Sequence, residues 1–279
     1  MATGQLYGMA DLYIDRLHQM LLRNVVEPFE LLCFTDRPRS VHQDIVQIDC
    51  SGWTELLRDG MRPTTRKLGI FNPAYVQREW VIYLDLTLVI RQRMDALIAH
   101  MRAHDDDLVI VRDWNYDSFN SSVMSFKPRH VAFIYEAFKA GTSYPQTVQG
   151  DQEFIHQHVR ASGYARVSLL PAGQVCSFKQ AVRTARKNPA LARQMVEESI
   201  IVKFHGQPRM HQAFDPWYRF SRITLKALAH GRLGLPFSIV AMKKAWEGSG
   251  RMLGLIHAGL YGLLLGREIP VGLDLFPLI

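Results

Sequence analysis

The segment 81–90 constrains the fold of this chain more than any other part of the sequence. It reads VIYLDLTLVI, in which apolar side chains surround Asp85 and Thr87. Such a run, rich in branched residues, is typical of a strand buried on both faces. An unpaired carboxylate is costly in such surroundings, so we expect Asp85 to end the apolar stretch and to meet a cation, a backbone cap or a metal.

Other apolar runs alternate with helical patterns along the chain. The predicted strands are 29–35, 45–49, 81–90, 108–112, 122–126 and 199–204. The predicted helices are 11–24, 94–104, 131–140 and 151–161, with a further helix start at Asn188-Pro189. Strands that alternate with helices predict an α/β fold with a mostly parallel sheet covered on both faces.

The character of the sequence changes beyond residue 212. Helical patterns run from Asp215-Pro216 to about His230, near 237–247 and at 250–265. We therefore predict two parts, an α/β body at 1–212 and a helical appendage at 213–279. The longest apolar stretch, 252–265, is shorter than the roughly 20 residues that a membrane-spanning helix needs.

Composition narrows the class of protein. Hydrophobic residues make up 48% and charged residues 21%, which excludes a globally disordered chain. Three cysteines without metal-ligand spacing argue against a disulfide scaffold and a zinc cluster, and favour a reducing compartment. Residues 1–7 lack the pattern of a signal peptide, so we expect a cytoplasmic protein. The net charge is +7, but no helix-turn-helix, zinc spacing or aromatic-basic interleaving indicates nucleic acid as a partner.

Five strings in chain order resemble the motifs of the A-type (GT-A fold) nucleotide-sugar glycosyltransferases, particularly family-8-like bacterial relatives. They are CFTD (33–36), YLDLT (83–87), FNSSVMSF (119–126), GDQEFI (150–155) and VKFHGQPRMH (202–211). The resemblance covers residues 4–212. It implies the Rossmann-like fold of this class and sugar transfer from a nucleotide-diphosphate donor, a UDP-sugar, to a hydroxyl acceptor. It also favours retention of the anomeric configuration.

The resemblance also implies a set of site residues. Asp151 and Gln152 would flank the anomeric carbon as catalytic residues. Asp85 and His205 would hold Mn²⁺ or Mg²⁺, ions that suit oxygen ligands with one histidine. The implied donor-binding residues are Tyr7, Thr35, Lys67, Asp85, Asn120, Ser121, Gly206 and Arg209.

Each of these roles has a purely structural alternative. Asp151 could cap the helix that follows Gly150. His205 could be a satisfied histidine at a strand end, and Asn120 could organise a turn. Lys67 and Arg209 could be solvated cations.

Two departures from the motif pattern leave further alternatives open. Thr87 stands where the second acid of the metal motif is expected, and a hydroxyl is a poorer ligand than a carboxylate for a hard divalent cation. The site could hold metal more weakly, work without metal through Lys67, Arg209 or another cation, or have lost catalysis and only bind the donor.

The second departure is at the N-terminus, where an apolar strand is expected before Tyr7. The residues MATGQL do not make a convincing strand. The start could lie upstream, residues 2–7 could form a short substitute, or the fold could be compromised. A missing strand would leave neighbouring strand edges open.

The acceptor would be a glycan, a lipid-linked molecule or a protein. Basic residues precede the apolar stretch 252–265 and suggest a peripheral contact with the inner membrane face. They are Arg219, Arg222, Lys226, Arg232, Lys243 and Lys244. The alternative is that this tail packs onto the α/β body.

Overall fold

A computed structural model describes residues 9–104, 108–144, 150–164, 166–206, 208–215 and 234–248. The helices are α1 (Ala10–Asn24), α2 (Asp95–Ala103), α3 (Pro128–Lys139), α4 (Asp151–Ala161), α5 (Phe178–Ala185), α6 (Pro189–Glu198), α7 (Met210–Phe214) and α8 (Gly234–Glu247). The strands are β1 (Leu31–Thr35), β2 (Ile45–Asp49), β3 (Val81–Leu84), β4 (Leu88–Ile90), β5 (Leu108–Arg112), β6 (Phe119–Phe126), β7 (Val167–Leu169), β8 (Val175–Ser177) and β9 (Ile201–Lys203). Two 3-10 helices, Thr54–Leu56 and Pro63–Phe71, lie between β2 and β3.

The described strands form three sheets, in the orders β1-β2, β3-β6-β5-β7 and β4-β9-β8. The pairs β1/β2, β5/β7 and β8/β9 are parallel. The pairs β3/β6, β5/β6 and β4/β9 are antiparallel. Helices cover these sheets, so the chain has the α/β architecture expected from its alternating pattern, with strand directions that are mixed.

The segment 81–90 forms two strands that belong to different sheets. β3 pairs with β6, whereas β4 pairs with β9. The polar break at Asp85 and Thr87 is the link between them, and each end of the link is tied to a neighbour. The Asp85 N–H donates to the Ser122 carbonyl oxygen over 2.9 Å, and the Phe204 N–H donates to the Thr87 carbonyl oxygen over 2.9 Å. The break therefore lies where two sheets meet.

Apolar side chains hold the helices on these sheets. The amphipathic face of α1 contributes Tyr13 and Met20 to a core shared with β4, α2 and β9. Trp246 of α8 joins the same core, and its ring meets that of Tyr13 edge-on at 5.6 Å between centroids. The helix predicted at 237–247 is thus present and packs on the α/β body. The patterns predicted at 216–230 and 250–265 lie outside the described residues.

A cavity of about 450 Å³ lies between β1 and β3. Within the described residues β1 pairs only with β2 and β3 only with β6, so each strand has one edge without a strand neighbour. Both edges line the cavity, together with apolar residues of α1 such as Ile14 and Leu17. Residues 1–8 lie outside the described ranges, so a short N-terminal strand stays a prediction.

Within the described ranges, no helix is both long and apolar enough to cross a bilayer.

Candidate functional site

Two lysines and two aspartates meet at the junction between the sheets. We call Lys67, Asp85, Asp151 and Lys203 the lysine–aspartate cluster. The Lys67 Nζ lies 3.3 Å from Asp85 Oδ1, and the Lys203 Nζ contacts Asp85 Oδ2. Both lysine side chains are buried, with 11% and 8% of their surface exposed, whereas that of Asp85 is 22% exposed. Asp85 therefore meets two cations, as its position in an apolar segment predicted.

Lys67 joins Asp85 to the start of α4. Its Nζ lies 2.8 Å from Asp151 Oδ2, and the Ser121 hydroxyl donates to the same oxygen over 2.6 Å. The Lys67 Nζ also donates to Ser121 Oγ over 3.1 Å. Lys67 is thus a buried ion-pairing residue, and the alternative of a solvated cation does not hold for it.

Asp151 is the first helical residue of α4, and Gly150 is the N-cap residue. No side-chain cap hydrogen bond is made at this N-terminus. The Asp151 carboxylate is instead bound to Lys67 and Ser121, while its place in the first turn also lets it interact favourably with the positive end of the helix dipole. The Asp151 side chain is therefore engaged with the cluster, and the capping alternative alone does not account for its contacts.

The charges of the cluster shift the pKa values of its members. Burial alone would raise the pKa of Asp85, but the Lys203 and Lys67 ammonium groups outweigh it and hold this pKa well below its usual range. Burial lowers the pKa of Lys67, yet the Asp151 and Asp85 carboxylates reverse that effect and raise it well above its usual value. Burial and then Asp85 raise the pKa of Tyr83, whose hydroxyl donates to Asp85 Oδ1 over 2.7 Å. At neutral pH Asp85 is ionised and Lys67 is protonated, whereas burial lowers the pKa of Lys203 and the Asp85 carboxylate opposes that effect only in part.

Sequence reasoning missed Lys203, the last residue of β9. Its Nζ donates to Thr87 Oγ1 over 2.7 Å and also contacts Asp85. The available signal was the lysine in the apolar run SIIVKF, since a cation in a buried strand requires an acidic partner. Thr87 thus stands where the motif pattern has a second acid, and its hydroxyl accepts a hydrogen bond from the Lys203 ammonium group.

His205 lies close to Lys203 in the chain, but its side chain bonds to a residue outside the lysine–aspartate cluster. Its Nε2 is 2.6 Å from the Ser177 hydroxyl at the end of β8, and its ring stacks on Trp114 at 6.0 Å between centroids. Burial lowers the pKa of His205 and Lys203 lowers it further, so its imidazole is neutral at neutral pH. The segments that carry Asp85 and His205 do converge, but Lys203 makes the contact with Asp85. The bond to Ser177 agrees with the alternative of a satisfied histidine at a strand end.

Two amide side chains form a second group around Asp113. The Asn120 Nδ2 donates to Asp113 Oδ2 over 3.2 Å and to Gln152 Oε1 over 3.1 Å, and the Gln152 Nε2 reaches Asp113 Oδ2 at 3.3 Å. The Asn120 Oδ1 accepts from the Ser122 N–H, so Asn120 also supports its local turn. Sequence reasoning missed Asp113, which follows β5 just as Asp85 follows β3.

The amide group and the lysine–aspartate cluster adjoin each other through the chain. Asn120 precedes Ser121 on β6, and Gln152 follows Asp151 on α4. Four expected site residues therefore come together in two pairs, in which Asn120 and Gln152 belong to the amide group, Asp151 belongs to the cluster and Ser121 is hydrogen-bonded to it. Such an arrangement places the charges of the cluster beside two neutral amide side chains that are hydrogen-bonded to the Asp113 carboxylate.

The expected residues Thr35, Gly206 and Arg209 have no hydrogen bond or ion pair with these two groups among the described residues. Thr35 ends β1, where its hydroxyl donates to the Arg37 carbonyl oxygen over 2.8 Å and accepts from Arg39 Nε over 2.9 Å. Gly206 has a φ of +72°, a left-handed conformation that favours glycine. The Arg209 Nε is buried without a hydrogen-bond partner among the described residues. Tyr7 lies outside the described ranges.

The expected divalent cation does not fit the side chains around Asp85. In the described part of the chain, no three His, Cys, Asp or Glu side chains form a metal-binding group. A divalent cation at Asp85 would lie beside two ammonium groups that repel it, while the carboxylates of Asp85 and Asp151 that would attract it are already paired with those groups. The Asp85 oxygens already contact two such groups.

Comparison with known proteins gives matches in structure only. No protein-family profile and no curated protein sequence matches this chain. An active-site mutant of LgtC aligns at 11% identity over 79% of this chain and 92% of its own, with a TM-score of 0.48. Galactosyltransferase LgtC in complex with donor and acceptor sugar analogues aligns at 11% identity over 83% and 91%, with a TM-score of 0.47.

The glycosyltransferase GlyE of Streptococcus pneumoniae TIGR4 aligns with a TM-score of 0.52 and 13% identity, over 85% of this chain and 61% of its own. At this identity the similarity concerns the fold alone. It agrees with the α/β class that the alternating strands and helices predicted.

Proposed function

We propose that this protein is a glycosyltransferase that moves a sugar from a nucleoside-diphosphate donor, a UDP-sugar, to a hydroxyl acceptor. The lysine–aspartate cluster is the observation that carries the proposal. Buried cations are costly to maintain, and these lie beside amide side chains suited to sugar hydroxyls. The fold shared with GlyE and the five motif strings support the same activity.

The proposed reaction breaks the bond between the anomeric carbon and the diphosphate oxygen, and the electron pair stays with the diphosphate. The acceptor oxygen forms the new glycosidic bond and gives up its proton, which the departing diphosphate can take. Negative charge grows on the leaving group, so fixed positive charge nearby lowers the barrier. Lys67 and Arg209 are the proposed phosphate-facing cations, the roles that the motif resemblance implies for them.

The amide group is the proposed site of the donor sugar. Asn120 and Gln152 each offer both a donor and an acceptor, which matches the hydrogen-bonding character of sugar hydroxyls. Asp151 and Gln152 would lie beside the anomeric carbon, with retention of configuration. The acceptor of this proposal is a hydroxyl of a glycan, a lipid-linked sugar or a protein, handled in the cytoplasm.

Thermal unfolding in the presence of nucleotides tests the proposal. We expect UDP or a UDP-sugar to raise the Tm, because a ligand that binds only the folded state stabilises it by mass action. Asn120→Ala should weaken the effect of UDP-sugars more than the effect of UDP, since it removes contacts to the sugar. The absence of a shift with UDP, GDP or their sugars would count against the proposal.

A second candidate is a donor-binding protein without transfer activity. It is favoured by Thr87 at the position of an expected acid and by the engagement of Asp151 with Lys67 and Ser121. The two candidates differ in turnover. If UDP-sugars raise the Tm but are neither hydrolysed nor transferred to any acceptor tested, the binding protein is the better description.

A further inference from the structure

We propose that the Lys203 ammonium group acts as the fixed cation for the donor diphosphate, in the place where the motif resemblance implies a divalent metal. This inference rests on the proposed function and deepens it. It makes the protein a transferase whose donor binding needs no metal. Lys203 would bind the diphosphate directly, at the two motif positions Asp85 and Thr87.

The contacts of Lys203 carry the inference. Its Nζ contacts Asp85 and donates to Thr87 Oγ1 over 2.7 Å, so it bridges the two motif positions, Asp85 and Thr87, at which a metal would be expected. An ammonium group has three N–H donors. The contacts to Asp85 and Thr87 account for two of them, which leaves one for a phosphate oxygen. A hydroxyl at Thr87 suits this geometry, because it accepts from the ammonium without adding negative charge.

The backbone fixes Lys203 in that place. Lys203 pairs with Leu88 of β4 on one side and with Ser177 of β8 on the other. The backbone N–H of the next residue, Phe204, donates to the Thr87 carbonyl oxygen. A strand held on both edges cannot easily retract its last side chain. The ammonium is thus preorganised, as stabilisation of a developing charge requires.

The charge balance of the cluster agrees with this role. Lys67 and Lys203 are balanced by Asp85 and Asp151, so the cluster has no formal excess charge. Asp85 is the most exposed of the four at 22%, so solvent reaches the cluster on this side. When the bond to the anomeric carbon breaks, the additional negative charge forms on the diphosphate oxygen that Lys203 contacts.

Calorimetric titration of UDP into the full chain, in EDTA and again in excess Mn²⁺, tests the inference. We expect the Kd in the two buffers to agree within about twofold. Lys203→Met should weaken UDP at least about tenfold in EDTA, whereas the same substitution at the exposed Lys187 should leave the Kd unchanged. Circular dichroism and the Tm establish that each variant is folded.

Replacement of the ammonium group by a set of metal ligands gives the converse test. The double variant Thr87→Asp with Lys203→His replaces the ammonium by a ligand set suited to Mn²⁺. We expect its UDP binding to be weak in EDTA and restored by Mn²⁺. Binding by this variant that is as strong in EDTA as in Mn²⁺ would overturn the assignment of the cation site.

The outcomes separate the inference from the proposed function. If the natural chain binds UDP only with Mn²⁺, the role of Lys203 is refuted while the transferase proposal stands. If neither UDP nor another nucleoside diphosphate binds in either buffer, the proposed function itself fails. If Lys203→Met does not fold, the comparison of EDTA and Mn²⁺ on the natural chain still tests metal independence, and the double variant tests the place of Lys203.

Discussion

Removal of one lysine from the lysine–aspartate cluster should destabilise the protein severely. Removal of its carboxylate partner as well should restore part of the lost stability. Lys67→Met leaves Asp85 and Asp151 with Lys203 as their remaining cation within the cluster. Breaking a buried ion pair by removing one partner costs about 3–5 kcal/mol, because a charge stays buried without compensation. Two unit charges 4 Å apart contribute a comparable energy, about 4 kcal/mol, at an effective dielectric constant of 20.

The double variant Lys67→Met with Asp151→Asn restores the charge balance. Its cluster keeps Lys203 and Asp85, which contact each other directly. We therefore expect it to be more stable than Lys67→Met alone, by about 1 kcal/mol or more, since the uncompensated carboxylate is gone. Each kcal/mol shifts the Tm of a chain of this size by about 2–4 °C, so the single variant should melt on the order of 10 °C below the natural protein.

Differential scanning calorimetry at neutral pH measures these differences. Lys187→Met is the matched control, because Lys187 is exposed and an exposed substitution changes stability by about 0.5 kcal/mol or less. A Lys67→Met variant that melts together with this control would refute the electrostatic argument. So would a double variant whose losses simply add to those of the two single variants.

Three further predictions use other parts of the structure. Lys203 and Lys67 hold the pKa of Asp85 below its unfolded value. Asp85 therefore contributes stability above about pH 4, and this stability is lost as the pH falls further. Asp85→Asn should flatten the acid limb of a curve of Tm against pH. Burial lowers the pKa of His205, so its NMR titration midpoint should lie below about 6.5, and a midpoint above that value would contradict the burial argument. Gly69→Ala should lower the free energy of unfolding in urea by about 1–3 kcal/mol, because the added Cβ would clash with the Trp53 ring. Gly52→Ala is the control, since a Cβ at Gly52 would have no atom within 4 Å. Equal unfolding midpoints for the two variants would show that the Trp53 ring moves freely.

Much of the fold could be predicted from local patterns. The predicted strands 29–35, 45–49 and 108–112 correspond to β1, β2 and β5, with β1 beginning two residues later than predicted, and the periodicity of 11–24 corresponds to α1. These predictions succeed because the period of apolar residues depends on which face of an element is buried. The division of 81–90 between two sheets was not predicted, because it depends on which strands lie beside each half of the segment.

The candidate site divides in the same way. Asp85, Lys67 and Asp151 were all named from the sequence, and they do meet. The need of a buried carboxylate for a partner (a cation, a backbone cap or a metal) is a property of the residue and its apolar neighbours, so the sequence alone determines it. The structure shows that the partner of Asp85 is a cation. The identity of that cation is not local, since Lys203 lies 118 residues from Asp85 in the chain.

What the tertiary structure decided is therefore the partner of each charged group. Pairing of β9 with β4 brings Lys203 against Asp85 and Thr87, while the next strand, β8, presents Ser177 to His205. A shift of one residue in that register would turn Lys203 to the other face of the sheet. The sequence determined that charges must be paired here, and the packing of distant strands determined which ones are.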